Sequence, residues 1–283
     1  MKGGESVIRR VAHLGPAGTF SEEAAVLYIR DSEARLVSLS SIAAVFSAVE
    51  TGMADEGIVP IENSLEGSVA ATLDLLIHES SLLIRHEILL TISHCLLTRP
   101  GTPVESIRVL YAHPQALGQC RRFVDRCLPK ADVVAALSNA AAVEEMMADD
   151  RPSAAIGPER AAVIYGSEVL ARGIQDESAN VTRFVVLATE DHPPTGCDRT
   201  SICFTVPEDV PGALCGVLQE FAAERINLSK IESRPTKEAL GRYFFLADIE
   251  GHRLDPLVAQ VLERVRPKAD QLKIFGSYPR WRG

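Results

Sequence analysis

Residues 57–69 have the sequence GIVPIENSLEGSV, in which an apolar run gives way to hydrogen-bonding side chains. The run Gly57–Val59 is typical of a buried strand, and Pro60, which lacks an N–H and restricts φ, predicts where that strand stops. Ser68 can cap a helix that begins near Val69, because its hydroxyl can accept from the exposed N–H groups of the first turn. Such a strand-to-helix turn is either a capped connection and nothing more, or a site that binds an anion at the helix N-terminus.

The 283 residues suit two domains of unequal size, since a domain commonly contains about 150 residues. With 46% hydrophobic and 24% charged residues, the composition is typical of a globular protein and not of a disordered or membrane protein. The formal net charge is -9 and no Lys/Arg-rich stripe exists, which argues against nucleic acid as a partner and favours a small molecule. An anionic substrate is compatible with this charge, because helix N-termini and a few Arg side chains can compensate locally.

The six cysteines are expected to be reduced and mostly buried. They form no CxxC pair and have no nearby His at the spacing of a metal site, so we expect no metal. Residues 1–10 are too polar for a signal peptide, and no apolar run approaches the roughly 18 residues of a membrane span. We therefore expect a cytoplasmic protein without a membrane partner. No function is assigned to His78, His86, His94 or His192, which have no partner at an informative spacing.

Short apolar runs alternate with helical patterns from Val7 to about Ala188, which predicts an α/β domain with a mostly parallel sheet. The longer apolar stretch Leu82–Leu97 is interrupted by charged and polar residues, and we interpret it as extended chain that crosses from one lobe to another. Two lobes that share a cleft would follow. The predicted buried strands are Val7–Leu14, Arg35–Leu39, Glu56–Val59, Ile107–Ala112, Asp132–Leu137 and Ala154–Ile156.

The segment Thr189–Gly196 interrupts every periodicity with Pro-Pro and Gly and is typical of a linker. A second domain begins near Arg199. Its patterns predict the order βαββαβ of a ferredoxin-like fold. The predicted elements are strand Thr200–Val206, helix Gly212–Arg225, strand Ile226–Ser233, strand Arg242–Ile249, helix Leu254–Arg266 and strand Gln271–Gly276.

A further turn that can bind a ligand is Gly15–Ser21, between a strand that ends at Leu14 and a predicted helix over Glu22–Arg30. Its glycines allow the backbone to approach a bound group, and Thr19 or Ser21 can cap the helix or donate to a carboxylate. The turn lacks the Lys of a phosphate loop and the GxGxxG of a dinucleotide site. A structural turn and an anion site are equally compatible with this segment.

Five short strings, in the order of the chain, resemble the signatures of the prephenate dehydratase family. The strings are Gly15–Ser21, Pro60–Ser64, His113–Leu117, Ser138–Ala142 and Thr182–Phe184. The last of them, Thr-Arg-Phe, is the best-known catalytic signature of that family, and the resemblance covers about Val7 to Leu187. In the C-terminal region, Gly212–Leu214 and Glu232–Thr236 look like the two phenylalanine-binding motifs of the ACT regulatory domain that such enzymes carry.

The resemblance implies an α/β fold: a two-lobed catalytic domain like the type II periplasmic binding proteins, followed by an α+β ferredoxin-like ACT domain. It is similar to the monofunctional members, and no chorismate mutase domain is expected on this chain. The expected boundaries are 1–190 for the catalytic domain (lobes of about 6–80 plus 167–190 and about 81–166), 191–198 for the linker and 199–283 for the ACT domain.

The reaction that the resemblance implies converts prephenate to phenylpyruvate, CO2 and water on the route to phenylalanine, with feedback regulation by L-phenylalanine. Prephenate is a dicarboxylate with a ring hydroxyl, so its site has to hold two carboxylates and direct a hydrogen bond at the departing hydroxyl. No cofactor is required. Two alternatives stay open: an arogenate dehydratase, whose substrate bears an amine in place of the keto group, and a noncatalytic amino-acid-sensing ACT protein.

Thr182 is the first candidate for the donor to that hydroxyl, because the resemblance places the Thr-Arg-Phe threonine at the reacting centre. The alternative is a strand residue that stabilises the sheet. Asn63 and Ser64 are expected to be neutral catalytic donors at a strand end, and Gln115 to contact the ligand. Glu62 points away from Asn63 and Ser64 if strand alternation persists, so we interpret it as a scaffold residue.

Further substrate contacts are expected at the helix starts and beside Thr182. Arg183 points opposite to Thr182, so it pairs either with a substrate carboxylate or with a structural partner. Phe184 returns to the side of Thr182 as a wall or core residue, and His113 is compatible with a structural role as well as a substrate contact. The expected substrate-binding residues are Thr19, Phe20, Ser21, Ser68, His113, Ser138, Asn139, Arg183 and Phe184.

By the same resemblance, phenylalanine binds across an interface between two ACT domains, which implies a homodimer or a homotetramer. The apolar residues Leu214, Val217, Leu218 and Phe221 recur at helical spacing and are expected to face the core. The expected effector-binding residues are Gly212, Ala213, Leu214, Glu232, Ser233, Arg234 and Pro235.

Overall fold

The computed structural model describes residues 8–30, 32–207, 210–236 and 241–282. Val7, the predicted start of the first strand, lies outside these ranges. Two compact units are formed from discontinuous segments of the chain. The first unit comprises the chain up to Val45, Ile58–Val69 and Leu89–Phe184, and the second comprises Phe46–Gly57, Ala70–Ile88 and the chain from Val185 onward. The division into 1–190, 191–198 and 199–283 stays a prediction.

Helices and strands alternate along most of the described chain. The α-helices are α1 (Phe20–Ile29), α2 (Ile42–Glu50), α3 (Ala70–Asp74), α4 (Pro114–Gln119), α5 (Arg121–Cys127), α6 (Asn139–Ala148), α7 (Glu159–Tyr165), α8 (Ala213–Ala223) and α9 (Pro256–Val265). The strands are β1 (Arg9–Leu14), β2 (Ala34–Leu39), β3 (Glu56–Asn63), β4 (Gly67–Ser68), β5 (Leu83–Thr91), β6 (Cys95–Thr98), β7 (Val109–Ala112), β8 (Asp132–Ala135), β9 (Ser153–Gly157), β10 (Glu168–Arg172), β11 (Val181–Ala188), β12 (Asp198–Thr205), β13 (Leu228–Pro235), β14 (Tyr243–Glu250) and β15 (Gln271–Pro279). A π-helical turn covers Leu75–Glu79, and 3-10 turns cover Val104–Ser106 and Arg266–Lys268.

The strands of the N-terminal region form two sheets, with the orders β2-β1-β3-β11-β5 and β10-β6-β9-β7-β8, and β4 pairs with β3. The pairs β1 with β2, β7 with β8 and β7 with β9 are parallel, as the alternation of strands and helices predicts, whereas β10 with β6 and β6 with β9 are antiparallel. Strand β5 belongs to the first sheet and β6 to the second. The prediction that Leu82–Leu97 is extended chain that crosses between two layers is therefore confirmed.

The third sheet confirms the predicted βαββαβ order. Its strand order is β13-β14-β12-β15, and the pairs are antiparallel. Helices α8 and α9 bury one apolar face each against it, with Val217 and Phe221 in the core as predicted from their spacing. Leu218 is half-buried.

Strand β3 does not stop at Pro60. It continues to Asn63, because the φ that proline imposes lies within the extended region and a strand tolerates it. Gly67, with φ 82°, then turns the chain back so that Gly67 and Ser68 pair antiparallel with the end of β3. The expected helix cap at Ser68 is therefore wrong: Ser68 is a strand residue, and α3 begins at Ala70.

Four of the described helices begin with a side chain that accepts a backbone N–H of the first turn; Ser41 caps α2 at 3.1 Å, and the other three are α1, α4 and α6. Thr19 Oγ1, one of the two predicted candidates, caps α1 at 3.3 Å, and Ser138 Oγ caps α6 at 3.0 Å as predicted. At the start of α4, His113 Nδ1 accepts at 3.3 Å and Pro114 occupies the first helical position. The sequence pattern therefore places these three helix N-termini correctly.

Strand β15 approaches the backbone of Ile84 so closely that only glycine fits at position 276. Gly276 has φ 137°, and a Cβ there would lie 2.7 Å from the Ile84 nitrogen and closer still to its carbonyl oxygen. Gly276→Ala should lower the free energy of unfolding by about 3 kcal/mol, because backbone atoms of both strands would have to move. Urea denaturation measures this change.

The matched control is Gly216→Ala, because Gly216 lies inside α8 and has nothing within 4 Å of its Cβ position. Alanine at that position should raise the free energy of unfolding by about 1 kcal/mol through helix propensity. Equal unfolding midpoints for Gly276→Ala and the parent chain would contradict the close approach of β15 to Ile84.

Candidate active site

Two cavities with a shared lining lie in the first unit, and side chains from both N-terminal sheets converge on them. Their volumes are about 110 and about 300 Å³. Both cavities are lined by Phe20, Asn63, Gln115, Asn139 and Thr182. The larger cavity is also lined by Thr19, Ser21, His113, Ser138 and Phe184. Ten of the expected catalytic and substrate-binding residues are thus brought together in one cleft, as the two-lobe prediction requires.

The cleft combines apolar surface with hydroxyl, amide and imidazole side chains, and the described residues that line it include no Lys, Arg, Asp or Glu. Three of its wall residues, Thr19, His113 and Ser138, are the N-caps of α1, α4 and α6. The first turns of these helices carry N–H groups that have no partner within the helix, and the helix dipole places partial positive charge there. The larger cavity therefore favours an anionic ligand without a basic side chain.

Asn63 determines which way the Thr182 hydroxyl can act. Its Oδ1 accepts the backbone N–H groups of Leu65 at 2.9 Å and Glu66 at 3.0 Å. Its Nδ2 therefore faces the opposite way, and donates to Thr182 Oγ1 at 2.9 Å and to Asn180 Oδ1 at 2.7 Å. Because Thr182 Oγ1 accepts this bond, its own proton is left to donate elsewhere. Thr182 is 8% exposed and lines both cavities, so that proton is available to a bound ligand.

The hydrogen-bonded chain continues through three residues that are absent from the sequence-based prediction. Asn180 Nδ2 donates to Gln119 Oε1 at 2.9 Å, and Gln119 Nε2 donates to Glu66 Oε1 at 3.2 Å. His94 Nε2 lies 3.0 Å from the same Gln119 oxygen. Asn180, Gln119 and His94 all line the smaller cavity.

For two of these three residues, the spacing from a predicted site residue indicates a position beside the site. Gln119 lies four residues after Gln115, a spacing that places both side chains on one face of α4. Asn180 lies two residues before Thr182, a spacing that keeps both on one side of extended chain. His94 had no such signal, because its hydrogen-bond partner is 25 residues away in the sequence.

Arg183 does not line either cavity. Its guanidinium pairs with Glu62 at 3.0 Å, and the Arg183 side chain is 8% exposed. Strand alternation explains this, because Arg183 and Glu62 point away from Thr182 and Asn63 respectively. The geometry agrees with the structural interpretation of Arg183 and the scaffold interpretation of Glu62, and the contact of Arg183 with the substrate stays a prediction.

Ser64 is also absent from the cavity lining. Its Oγ donates to the carbonyl of Ala179 at 2.9 Å and accepts the N–H of Val181 at 3.0 Å, while its own N–H donates to the Val181 carbonyl at 2.9 Å. The side chain thus ties the turn after β3 to the chain just before Thr182. The Ser64 hydroxyl is engaged in both directions within the chain, and Ser68 likewise lies outside the lining, so their expected contacts with the substrate stay predictions that this geometry does not support.

Helix α7 holds the glycine turn that precedes α1. The Gly18 N–H donates to Glu22 Oε2 at 2.7 Å, and Arg160 donates to both Glu22 carboxylate oxygens at 2.9 and 3.0 Å. Burial raises the pKa of Glu22, but the hydrogen bonds from Arg160 and Gly18 outweigh it, so the net pKa is lowered. Tyr165 adds a hydrogen bond to the backbone of the turn at 3.2 Å. The turn is therefore a structural element that also carries cavity residues.

The first expected effector motif starts α8 in the second unit. Gly212 is the N-cap and has φ 92°, a conformation that favours glycine. No atom of the described residues lies within 4 Å of its Cβ position. Ala213 and Leu214 form the first turn of α8, and Leu214 packs partly against the core of the domain. The space beside Gly212 is thus open to a neighbouring group.

The second expected effector motif lies on β13, where exposed and half-buried residues alternate. Ser233 and Pro235 are exposed. Glu232 pairs with a lysine of the same strand at 3.2 Å, and Arg234 pairs with Asp74 at 2.8 Å. The two charged residues of the motif are therefore engaged within the chain, and the two exposed residues face outward.

The described residues bear on the expectations for cysteines, metal ligands and membrane spans. All six cysteines are free thiols, and Cys95, Cys120 and Cys203 are buried, whereas Cys127 and Cys215 are exposed. The described His, Cys, Asp and Glu side chains form no group of three or more that could hold a metal ion. Across the parts of the chain that the structure describes, no helix has the length and apolar character to cross a membrane.

Comparison with known proteins identifies the family. The prephenate dehydratase family model matches residues 11–192, and the ACT domain model matches residues 200–267. A bifunctional chorismate mutase/prephenate dehydratase of Aquifex aeolicus is 42% identical over 271 residues, which cover 96% of this chain and 74% of that protein. A prephenate dehydratase of Mycobacteroides abscessus is 40% identical over 282 residues, which cover 96% of this chain and 91% of that protein.

The similarity extends to three dimensions. The crystal structure of a prephenate dehydratase from Arthrobacter aurescens in complex with L-Phe matches with a TM-score of 0.87 at 39% identity, covering 96% of this chain and 90% of that one. The expected fold, a periplasmic-binding-protein-like catalytic region followed by a ferredoxin-like ACT domain, is confirmed. Sequence and structure together show that this chain belongs to the prephenate dehydratase family and carries an ACT domain.

Proposed function

We propose that the chain converts prephenate to phenylpyruvate, CO2 and water, with Thr182 as the hydrogen-bond donor to the departing hydroxyl. The direction of the bond between Asn63 and Thr182 carries this proposal. Thr182 Oγ1 accepts from Asn63 Nδ2 at 2.9 Å, so the hydroxyl proton is free for another acceptor. Its position on the wall of both cavities supports a ligand oxygen as that acceptor.

The larger cavity supports a dicarboxylate as the substrate. The N-termini of α1 and α6 can each hold a carboxylate through backbone N–H groups beside Thr19 and Ser138. Gln115 adds a neutral donor, because its exposed side-chain amide makes no hydrogen bond to another described residue. Phe20 and Phe184 supply apolar surface for the ring. His113 contributes by capping α4.

The reaction requires a hydrogen-bond donor to the departing oxygen, and this donor need not transfer its own proton. The ring carboxylate leaves as CO2 and its bonding electrons complete the aromatic ring, while the C–O bond breaks and the oxygen leaves as water with one proton taken up. Thr182 stabilises the negative charge that develops on the departing oxygen. A threonine hydroxyl does not give up its own proton at neutral pH, so solvent supplies the proton that completes the water molecule.

The neighbouring residues act by holding Thr182 in place. Asn63 orients the hydroxyl, Ser64 ties down the chain just before Thr182, and the Arg183–Glu62 pair fixes the opposite face of the same two strands. Asn139 lines both cavities and is available to the ligand. In this proposal the catalytic set is Thr182, Asn63 and Gln115, and Ser64 is a positioning residue.

Thr182→Val should lower kcat by about 100-fold or more with little change in KM, because the lost hydrogen bond strengthens as the C–O bond breaks. Valine keeps the shape and the strand preference of threonine. Thr182→Ser retains a hydroxyl and should keep most of the activity. Phenylpyruvate formation from prephenate measures kcat and KM, and an unchanged kcat in the valine variant would overturn the role of Thr182.

We further propose that L-phenylalanine binds the C-terminal domain and inhibits the enzyme. The match of the ACT domain model to residues 200–267 supports an effector site there, and the Arthrobacter aurescens relative contains L-Phe. The open space beside Gly212 and the exposed side chains of Ser233 and Pro235 are suited to an amino acid held between two domains. The proposed effector residues are Gly212, Ala213, Leu214, Glu232, Ser233, Arg234 and Pro235.

An interface between two ACT domains requires an oligomer, and we propose a homodimer or a homotetramer. Strand β13 is at the edge of its sheet, so its outer backbone groups are available to a second copy. The side chain of Ile231 on this strand is 49% exposed, which suits burial in such an interface. A cytoplasmic location stays a prediction from the sequence.

Gly212→Val should raise the L-phenylalanine concentration for half-inhibition by about tenfold or more, because the side chain fills the open space and disfavours φ 92°. The activity without effector should be unchanged. Gly101→Val is the matched control, since Gly101 also has a positive φ (79°) and open space but lies outside the ACT domain. Inhibition curves of the two variants check this, and equal half-inhibition for Gly212→Val and the parent would contradict the proposed site.

A further inference from the structure

We propose that His94 is a positioning residue for the dehydration: as a neutral imidazole with its proton on Nε2, it anchors the far end of the hydrogen-bonded chain that orients the Thr182 hydroxyl. The inference rests on the proposed role of Thr182. His94 acts through Gln119, Asn180 and Asn63, in that order. It therefore influences the reacting centre without being the group that donates to the departing hydroxyl.

The polarity of the chain is determined at the Asn63 end. Two backbone N–H groups hold Asn63 Oδ1, so Asn63 Nδ2 has to donate to Asn180 Oδ1. Asn180 Nδ2 then faces Gln119 and donates to Gln119 Oε1 at 2.9 Å. Since Gln119 Oε1 is an acceptor, the His94 nitrogen 3.0 Å away has to carry a proton. The chain thus selects one tautomer of His94.

A second constraint gives the same orientation from the Gln119 side. Gln119 Nε2 lies 3.2 Å from a carboxylate oxygen of Glu66, which can only accept. If the Gln119 amide were flipped, its oxygen would face the carboxylate and its nitrogen would face the Asn180 donor. Both contacts would be unfavourable, so Gln119 presents its oxygen to His94.

The other ring nitrogen explains why the imidazole is neutral. His94 Nδ1 is buried and has no hydrogen-bond partner in the described structure, and the residue is 2% exposed. A proton there would be a buried, unpaired donor, which is costly. Burial lowers the pKa of His94, and the hydrogen bond to Gln119 only partly opposes this shift. The form with a proton on Nε2 alone is therefore the stable one.

The ring is also held against rotation. Phe20 packs edge-on against it, with 5.5 Å between the ring centroids and an interplanar angle of 79°. The backbone N–H of His94 donates to Gln175 Oε1 at 2.9 Å, and the backbone carbonyl of His94 accepts the Ile174 N–H at 3.1 Å. Backbone and ring are thus both fixed. Loss of the Nε2 proton donor would release one of the two bonds on Gln119 Oε1 and loosen the chain that reaches Thr182.

The test compares two substitutions at this position in the full-length chain. His94→Gln can place an amide N–H where Nε2 lies, whereas His94→Leu removes the donor and keeps similar bulk. His94→Leu should lower kcat for prephenate by about tenfold or more while KM changes by less than about threefold, since the network acts on the reacting hydroxyl. His94→Gln should restore most of kcat.

His78→Leu is the control for loss of a histidine, because His78 is exposed and lies outside both cavities, and it should keep the parent kcat. A parent-like kcat in His94→Leu would overturn the inference, and so would an equally low kcat in His94→Gln, because then the donor at Nε2 would not be what matters. Circular dichroism verifies that each variant is folded.

A measurement on the unsubstituted chain decides the matter even if His94→Leu does not fold. Long-range 1H–15N spectra at pH 7 distinguish the two tautomers, and the His94 signals are those missing from the His94→Gln spectrum. We expect a protonated Nε2 and a bare Nδ1; the opposite tautomer or an imidazolium would overturn the inference. This readout does not depend on turnover, so it separates a failure here from a failure of the Thr182 role in Thr182→Val.

Discussion

The side-chain amide of Asn63 is the constraint on which the rest of the site depends. Two backbone N–H groups, those of Leu65 and Glu66, hold its oxygen, and they are part of the turn that leads from β3 into β4. With the oxygen fixed, the nitrogen has to donate to Asn180 and Thr182. The local conformation of three residues after a strand therefore sets the direction of every hydrogen bond up to the reacting hydroxyl.

The wall of the cleft likewise relies on neutral groups held in fixed orientations. A chain with a net charge of -9 holds a site suited to a dianion, although the described residues that line the cleft include no Lys or Arg. Helix N-termini supply partial positive charge through fixed N–H groups, and neutral amides and hydroxyls supply oriented donors. Such donors lie in place before the reaction and need no reorganisation as charge develops on the departing oxygen.

Local rules predicted much of this arrangement. Strand alternation separated Glu62 and Arg183 from Asn63 and Thr182, because the period of a strand is independent of its surroundings. Side-chain capping predicted the starts of α1 and α6 at Thr19 and Ser138. The family motifs then identified residues that are far apart in sequence and line one cleft.

The differences between the sequence-based predictions and the structure also have physical causes. Pro60 was expected to end β3, but its fixed φ is compatible with a strand, and Gly67 allowed the chain to turn back before α3, which displaced Ser68 from a helix cap. The chain from His94 to Asn63 joins residues separated by 25, 61 and 117 positions, so no local pattern reveals it. Ser64 is predicted as a donor from its place at a strand end, since its bonds to the chain before Thr182 span 115 and 117 positions and have no local signal either.

The claim that Asn63 acts through the Thr182 hydroxyl is tested most directly by a double-mutant cycle in kcat, built from Asn63→Ala, Thr182→Val and the double variant. If Asn63 serves mainly to orient that hydroxyl, its removal costs little once the hydroxyl is gone, and the double variant has nearly the kcat of Thr182→Val alone. If the two losses multiply in the double variant, Asn63 and Thr182 contribute independently and the account is contradicted.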